Sequence, residues 1–294
     1  MFDYKQLFII GNPRSGTSLL RLMMTNHPQI CIPPECGFIQ WWFEKYKMWS
    51  LQDSSDSKKV ESFIFDLKKS KKIETWKLDY EKLKKKIDSI TPSSYSQLTF
   101  TVIIQYAEQF EKNYIYLGDK NNYYIQHLDI INKIFPEAYI LGIIRDPRDV
   151  VCSYLNVNKL ETTSRYKPNF SKDISSIANE WLFNNKQLLE LIKLKGNKKS
   201  KLIRFEDLII NSENKLAEIC EWLNLNYSKE MLNYAENNEK YKLEPSEFMD
   251  WKKKVNESPD VTRVSSYISE LTIDEIRLIN ALTSEISIQY GYDE

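Results

Sequence analysis

The sequence predicts an α/β fold in which helices flank a parallel sheet. Short apolar runs typical of strands alternate along the chain with segments of helical periodicity, as in proteins with parallel sheets. The run at 138–144 is apolar throughout, which is expected for a strand buried on both faces. A length of 294 residues suits one large α/β domain or two small ones, and we expect a single domain over residues 1–294.

The predicted elements follow in order from the first strand, at 7–10, which leads through a tight turn into a helix. A second strand ends near 33–34. Residues 38–112 have helical spacing and lack a long apolar run, which predicts a helical insertion after the second strand, a natural place for a lid or acceptor pocket. Asp146-Pro147 predicts a helix start. Other strands are expected at 114–118, 138–144 and 202–205, and other helices at about 123–135, 173–195, 212–224 and 273–289.

Composition and charge argue against several classes of protein. The 41 basic and 41 acidic residues cancel, so nothing predicts general affinity for nucleic acid or for a membrane surface. No apolar run reaches the roughly 18 residues of a transmembrane helix, and the first strand begins too close to Met1 to leave room for a signal peptide. We therefore expect a cytoplasmic protein whose four scattered cysteines are reduced and mostly buried. The abundance of Lys, Asn and Ile fits an AT-rich genome.

The most informative motif is the turn Gly11–Ser18, between the first strand and the first helix. Successive backbone N–H groups and a helix N-terminus point there at one place, which makes an anion site. The two glycines have the spacing of a nucleotide-binding P-loop and predict a P-loop-type sheet, but Thr17 stands where that motif has Lys. Arg14 supplies the positive charge that Thr17 lacks, and Thr17 and Ser18 are expected to cap the helix.

Polar groups suited to an anionic nucleotide also follow two later strands. Lys120 comes after the strand at 114–118, and Arg145 comes directly after the strand at 138–144. Ligands of parallel sheets lie outside the carboxyl ends of the strands. We therefore expect Arg145, at a strand tip, and Ser153, on the helix that follows, to grip one phosphate.

These motifs resemble those of sulfotransferases that use 3′-phosphoadenosine 5′-phosphosulfate (PAPS). Pro13–Ser18 is similar to their 5′-phosphosulfate loop, and Ile144–Tyr154 is similar to their 3′-phosphate motif, with the same spacing from Arg to Ser. The resemblance covers about 1–36, 114–155 and 200–226. It is closer to a bacterial branch of the carbohydrate and tyrosyl-protein type than to the cytosolic small-molecule enzymes.

The resemblance implies a donor, a reaction and a set of binding residues. A sulfuryl group would pass from PAPS to a hydroxyl or amine of an acceptor, leaving adenosine 3′,5′-bisphosphate (PAP), and no metal ion would be required. The 3′-phosphate would be bound by Arg145 and Ser153. The 5′ end of the donor would be bound by Arg14, Ser15, Gly16, Thr17 and Ser18.

The resemblance also implies catalytic roles, for which we assign Glu35, Arg14 and Lys120. Glu35 follows Pro-Pro in a restricted turn, and a Glu serves as general base in carbohydrate-type and tyrosine-type relatives. Partial burial would raise its pKa toward the working pH. Lys120 would stabilise the bridging oxygen or the sulfuryl group. His127 is the rival base, because cytosolic small-molecule relatives use a His.

Three features leave alternatives open. Arg148 either binds the donor or pairs with an acidic neighbour. The C-terminal element of relatives appears here as Ser265–Ile268 without its Arg, so Arg263 or the stretch Trp251–Lys254 would have to substitute. The aromatic residues of 41–49 form either an acceptor platform or ordinary core packing.

We therefore predict a sulfotransferase, with two rival classes. One rival is an ATP-dependent kinase on the same fold, which the missing P-loop Lys disfavours. The other is a degenerate nucleotide-binding protein, which the departures at Asn121-Asn122 and Ser265-Ser266 keep open. The acceptor stays undetermined among sugars, small phenols or alcohols, lipids and peptidyl tyrosine.

Overall fold

A parallel five-stranded sheet organises the computed structural model, which describes residues 3–292. The strands are Lys5–Ile10 (β1), Ile30–Cys31 (β2), Tyr116–Lys120 (β3), Tyr139–Ile144 (β4) and Ser200–Arg204 (β5). Their order is β2-β3-β1-β4-β5, with Ile30 opposite Tyr116 and Ile144 opposite Arg204. Helices flank this sheet, so the predicted α/β class is confirmed.

The helices connect the strands, and short 3-10 helices lie between several of them. Within residues 3–292 the α-helices are Thr17–Thr25 (α1), Phe38–Trp41 (α2), Phe43–Tyr46 (α3), Leu51–Ser55 (α4), Ser57–Lys69 (α5), Tyr80–Ile90 (α6), Tyr95–Ala107 (α7), Leu128–Ile134 (α8), Pro147–Lys159 (α9), Ile174–Lys199 (α10), Phe205–Ile210 (α11), Ser212–Trp222 (α12), Tyr234–Tyr241 (α13), Met249–Lys252 (α14), Tyr267–Glu270 (α15) and Ile273–Ser287 (α16). Helices α2 to α7 all lie between β2 and β3, so the helical insertion after the second strand is confirmed.

The start of α9 agrees with the sequence prediction, whereas the start of α1 and the helix expected at about 123–135 do not. Asp146 caps α9 through its side chain, which accepts from the Arg148 N–H, with Pro147 as the first helical residue, as predicted. The expectation that Thr17 and Ser18 cap α1 is wrong. The N-cap is Gly16, at φ 92° and ψ 9°, and it makes no side-chain cap hydrogen bond. This left-handed conformation favours glycine, since a side chain at this φ is strained.

The single helix expected at about 123–135 is also wrong. The chain forms a 3-10 helix over Asn122–Gln126 and then α8, with His127 between them at φ −139° and ψ 34°. His127 is therefore the residue that precedes α8, and it does not lie within a helix.

Two compact units make up the described chain, one of residues 3–8 with 28–139 and one of 9–27 with 140–292. In the first unit, Phe38 packs edge-on against Trp76 with 5.6 Å between ring centroids, and Gly118 of β3 passes so close to Leu7 that a Cβ would lie 1.6 Å from the Leu7 carbonyl oxygen. In the second unit, Ile144, Val150, Trp181 and other apolar side chains form a buried core between α9, α10 and α16.

Within residues 3–292, none of the helices is both long enough and apolar enough to span a lipid bilayer. All four cysteines are buried, as predicted, and none of them forms a disulfide within residues 3–292.

Candidate functional site

Two groups of predicted site residues are found, one in each unit. The first, which we call the arginine cluster, lies in the second unit and comprises Arg14, Arg145, Ser153 and Arg263. Arg145, at the end of β4, donates from Nη1 to the Arg14 carbonyl oxygen at 3.2 Å and from Nη2 to the Arg263 carbonyl oxygen at 2.9 Å. Arg14 Nε donates to Ser153 Oγ at 2.9 Å. Residues of both donor motifs thus meet in this unit.

Phe205 joins the arginine cluster to the turn before α1. The Arg145 guanidinium lies 4.5 Å from the centroid of the Phe205 ring, and the Arg263 guanidinium lies 5.5 Å from it. A Cβ on Gly16 would lie 2.4 Å from this ring. Cations above an aromatic face are attracted by its quadrupole. Phe205 therefore places two guanidinium groups beside the start of α1.

Two polar atoms, one in the turn before α1 and one in the arginine cluster, lack a hydrogen-bond partner within the described part of the chain. Ser15 Oγ and Arg145 Nε are buried and have no hydrogen-bond partner there. The whole Ser15 residue is 0% exposed and Arg145 is 3% exposed, so water has little access to either. Buried polar groups are normally paired. These two atoms are therefore available to an anionic ligand.

The charges in the arginine cluster are incompletely balanced. Arg145 Nη2 lies 3.6 Å from Asp149 Oδ2, so the two residues form an ion pair at the start of α9. Arg263 makes no hydrogen bond or ion pair through its guanidinium to any residue of 3–292. Burial, with the neighbouring charge of Arg145, lowers the pKa of Arg263 to about 10. This positive charge is unfavourable in the absence of an anion and favourable in its presence.

Asp149 and Arg148 have structural partners. The Asp149 carboxylate accepts from Ser265 N–H, Ser266 Oγ–H and Tyr267 N–H, which anchors the C-terminal element to α9. Arg148 pairs with Asp146 at 2.7 Å and stacks on the Tyr267 ring, so it has the acidic neighbour that the sequence offered as an alternative.

Residues of the stretch Trp251–Lys254 make different kinds of contact. Lys252 is buried and pairs with Glu244, which also binds Arg21 at 2.7 Å. The Trp251 carbonyl oxygen accepts from Arg14 Nη2 at 3.1 Å. Arg263, rather than this stretch, lies beside Arg145.

The second group, which we call the Glu35 cluster, lies in the first unit and comprises Glu35, Lys72 and Lys120. Lys120, at the end of β3, donates to Glu35 Oε2 at 2.7 Å, and Lys72 donates to Glu35 Oε1. Glu35 is 6% exposed and Lys120 is 1% exposed. One carboxylate between two ammonium groups gives the cluster a formal charge of +1, which suits an anionic reactant.

Asp119 supports Lys120 from the adjacent position in β3. Its carboxylate accepts from the Lys120 N–H at 2.7 Å and from the Tyr124 hydroxyl. Burial raises the pKa of Asp119 to about 7, against the lowering effect of these hydrogen bonds. Asp119 is therefore a group that titrates near neutral pH next to the Glu35 cluster.

The two histidines lie in different surroundings. His27 Nε2 lies 2.9 Å from the Asn226 carbonyl oxygen, and burial lowers the pKa of His27, which is consistent with a structural role. His127 is partly exposed, and its ring makes no hydrogen bond to the described residues.

The aromatic run serves mainly as core. Phe43, Tyr46 and Trp49 are buried, and Tyr46 packs edge-on against Phe63 with 5.3 Å between centroids. Trp41 is 38% exposed, so it is the member open to solvent.

Comparison with known proteins identifies the class. The model of the sulfotransferase family matches residues 6–229, and the chain belongs to this family. Protein-tyrosine sulfotransferase 1 of Danio rerio is 22% identical over 80% of this chain, and the matched region is 57% of that protein, so the chain spans little more than half its length. The nodulation protein NoeE of Sinorhizobium fredii is 21% identical over 98% of this chain and 66% of its own.

These relatives confirm the resemblance to the branch that includes tyrosyl-protein enzymes. Among solved structures, the sulfotransferase domain of the Synechococcus PCC 7002 olefin synthase is similar, with a TM-score of 0.60, 18% identity, and coverage of 95% of this chain and 94% of that one. At this identity the likeness concerns the fold.

Sequence reasoning did not assign Lys72 or Phe205. Lys72 lies in an insertion without a motif, and only the folded chain brings it to Glu35. Phe205 follows Arg204 in a stretch that resembles the family, but nothing in the sequence indicated that its ring would hold two arginines. Arg263 did have a signal, since it is one of eight arginines in a chain rich in lysine.

Proposed function

We propose that this protein transfers a sulfuryl group from PAPS to a hydroxyl or amine of an acceptor by in-line displacement. The observation that carries the proposal is the pair of buried, unpartnered atoms, Ser15 Oγ and Arg145 Nε, in the two motifs that resemble donor-binding motifs. A buried polar atom without a partner costs about 1–3 kcal/mol. Donor phosphates would satisfy both atoms and offset the repulsion between Arg145 and Arg263.

The residues of the second unit fit the donor. Arg14 and Ser15 would hold the 5′ end of the donor. Gly16, Thr17 and Ser18, at the start of α1, would contribute their N–H groups. Arg145 and Ser153 would hold the 3′-phosphate, and Arg263 would take the place of the Arg that the C-terminal element lacks. Guanidinium groups suit phosphate because they donate two parallel hydrogen bonds.

The residues of the first unit would act on the acceptor. PAPS supplies a sulfuryl group bonded to a phosphate leaving group. Glu35 would take the proton of the acceptor hydroxyl as its oxygen bonds to sulfur and the bond from sulfur to the 5′-phosphate oxygen breaks. Lys120 would stabilise the negative charge that develops on that oxygen. Its hydrogen bond to Glu35 would orient both groups.

We also propose that residues 1–294 work as one sulfotransferase domain, in the cytoplasm and without a metal ion. The family match takes in residues of both units, which supports a single domain. Four cysteines without a disulfide are consistent with a reducing compartment.

A thermal-shift experiment tests the donor. PAP without a divalent cation should stabilise the protein by about 2.7 kcal/mol at a concentration of 100 times Kd, and ATP with Mg²⁺ should do little. Arg145→Ala should abolish the shift, because it removes the 3′-phosphate ligand. Arg277→Ala is the matched control, since Arg277 is exposed and its one ion pair within residues 3–292 is with Asp274. Stronger stabilisation by ATP with Mg²⁺ would support the kinase instead.

A second experiment tests the base. Glu35→Gln should leave the PAP shift unchanged and lower sulfate transfer by about 10²-fold or more. His127→Ala should transfer normally. Full activity of Glu35→Gln together with loss in His127→Ala would assign the base to His127. The acceptor for these assays would come from a screen with radiolabelled PAPS across sugars, phenols and alcohols, lipids and tyrosyl peptides.

A further inference from the structure

The Glu35 carboxylate accepts a hydrogen bond from a lysine at each of its oxygens. Lys120 lies at the end of a strand, whereas Lys72 does not. Lys120 Nζ donates to Oε2 at 2.7 Å, and Lys72 Nζ donates to Oε1. The Lys72 side chain is 12% exposed, although it comes from the helical insertion between α5 and α6. A partner on each oxygen restricts rotation of the carboxylate about its last side-chain bond.

The backbone around Lys72 is fastened to the turn that carries Glu35. Cys36 Sγ–H donates to the Lys71 carbonyl oxygen, and Trp76 Nε1–H donates to the Pro34 carbonyl oxygen at 2.7 Å. These two bonds lie on either side of Glu35 in the sequence and on either side of Lys72 in the insertion. The backbone that carries Lys72 is therefore held beside the turn that carries Glu35.

Lys72 also adopts a conformation that a lysine rarely has. It precedes the 3-10 helix Ile73–Trp76 with φ 78° and ψ −5°, in the left-handed region that favours glycine. Non-glycine residues in that region persist where the surrounding structure determines them, often at functional sites. Here the Lys72 carbonyl oxygen accepts from Thr75 N–H and Thr75 Oγ1–H, which stabilises this geometry.

The other end of the same 3-10 helix provides an internal comparison. Lys77 follows the helix with φ 50° and ψ 41°, so it is also a left-handed lysine. It is exposed, and its ammonium group makes no contact of this kind with residues 3–292. The two lysines share residue type, backbone region and element, and they differ in the contact with Glu35.

We propose that Lys72 is a positioning residue that acts through Glu35, fixing the orientation of the carboxylate for proton transfer from the acceptor. The inference rests on the proposed function of Glu35 as base. It assigns to the insertion a part in catalysis that no motif of the chain indicates. Loss of Lys72 should lower kcat, because a misplaced catalytic group can cost about 10²-fold, and should leave donor binding unchanged.

The test compares Lys72→Ala with Lys77→Ala, which impose the same change on the same backbone region. Transfer from radiolabelled PAPS is measured with a phenol, an oligosaccharide and a tyrosyl peptide, and PAP binding is measured by thermal shift. We expect Lys72→Ala to lose about 10- to 100-fold in kcat with an unchanged KM for PAPS and an unchanged PAP shift. Lys77→Ala should stay within about twofold of the wild type.

Rescue separates positioning from general damage. Ethylammonium added to Lys72→Ala should restore several-fold activity by placing an ammonium group beside Glu35, and Lys72→Arg should retain more activity than Lys72→Gln. If Lys72→Ala does not fold, the comparison of Lys72→Arg with Lys72→Gln decides. Equal activity of Lys72→Ala and Lys77→Ala, equal activity of the Arg and Gln variants, or no response to ethylammonium would overturn the inference.

The proposed function fails in a different way. A wild type that is not stabilised by PAP and transfers no sulfate would remove the sulfotransferase reaction, and the role of Lys72 with it. A wild type that binds PAP and transfers sulfate, with a Lys72→Ala variant equal to it, would remove only the role of Lys72.

Discussion

At the scale of single residues, the two units differ in how their buried charges are balanced: opposite charges are paired in the first unit, and like charges are neighbours in the second. In the first unit, Glu35 has an ammonium group on each oxygen, and Asp119 accepts two hydrogen bonds. In the second unit, Arg145 and Arg263 lie together over one aromatic ring, and burial with mutual repulsion lowers the pKa of Arg263. An anion that binds beside these two guanidinium groups relieves their repulsion, which makes its binding more favourable.

Asp119 should make stability depend on pH. Its pKa is raised from 3.8 to about 7, chiefly by burial, so the folded state holds a proton that the unfolded state releases. The resulting stabilisation is fully present below the unfolded pKa and is lost as pH rises through about 7. Relative to Asp119→Asn, which cannot titrate, the wild type should lose on the order of a few kcal/mol between pH 4 and pH 8.

Urea unfolding of both proteins across this range measures the difference. The comparison removes the contributions of other titrating groups, since both proteins share them. A difference between wild type and Asp119→Asn that stays constant with pH would show that the pKa of Asp119 is the same in the folded and unfolded states.

At the scale of elements, the turn between β1 and α1 depends on a glycine for two separate reasons. Gly16 has φ 92°, and a Cβ there would lie 2.4 Å from the Phe205 ring. The Phe205 ring also packs against the Arg145 guanidinium. A side chain at position 16 would therefore displace a ring that helps to position Arg145.

Gly16→Ala should therefore destabilise the protein more than Gly291→Ala. Gly291 is also left-handed, at φ 68° and ψ 39°, and the nearest atom to its Cβ position is 3.7 Å away, so its variant reports backbone strain alone, about 1–2 kcal/mol. At Gly16 the collision with Phe205 adds about 1–3 kcal/mol. Chemical denaturation measures both, and equal losses would mean that Phe205 moves aside without cost.

Elements with strong local signals could be predicted, and elements set by distant contacts could not. The apolar run before Arg145 and the Asp146-Pro147 pair locate β4 and the start of α9 from neighbouring residues alone. The strand β2 has two residues, too few for a periodic pattern, and exists because Ile30 and Cys31 pair with β3. The short helices between 229 and 270 likewise lack periodicity and form through tertiary packing.

The candidate site divides in the same way. Arg14 and Ser153 could be singled out from their motifs, although the sequence did not predict the contact at 2.9 Å between Arg14 Nε and Ser153 Oγ. The contact of Lys72 with Glu35 joins residues 37 positions apart through an insertion, and nothing local to either residue encodes it. Charge type and spacing predict such a partner only once the path of the chain is known.

At the scale of the whole molecule, the balance of charge governs behaviour in solution. The chain has 41 basic and 41 acidic residues and a pI near 6.8, so intermolecular repulsion is weakest near neutral pH. Solubility should pass through a minimum near pH 6.8 and rise on either side, as measured by light scattering from pH 5 to pH 9. A solubility minimum at a pH far from 6.8 would indicate that a local charged patch, and not the net charge, dominates association.

The pairing of β2 with β3 has a consequence for how such proteins diversify. The chain leaves the sheet at Cys31 and returns at Tyr116 on the adjacent strand, so the two ends of the insertion are held about 5 Å apart whatever lies between them. Each doubling of an inserted loop costs only about 0.6 kcal/mol of closure entropy. A helical bundle of another length can therefore be exchanged here by evolution or by grafting without altering strand register, provided that the new segment keeps Glu35 and returns a cation to it.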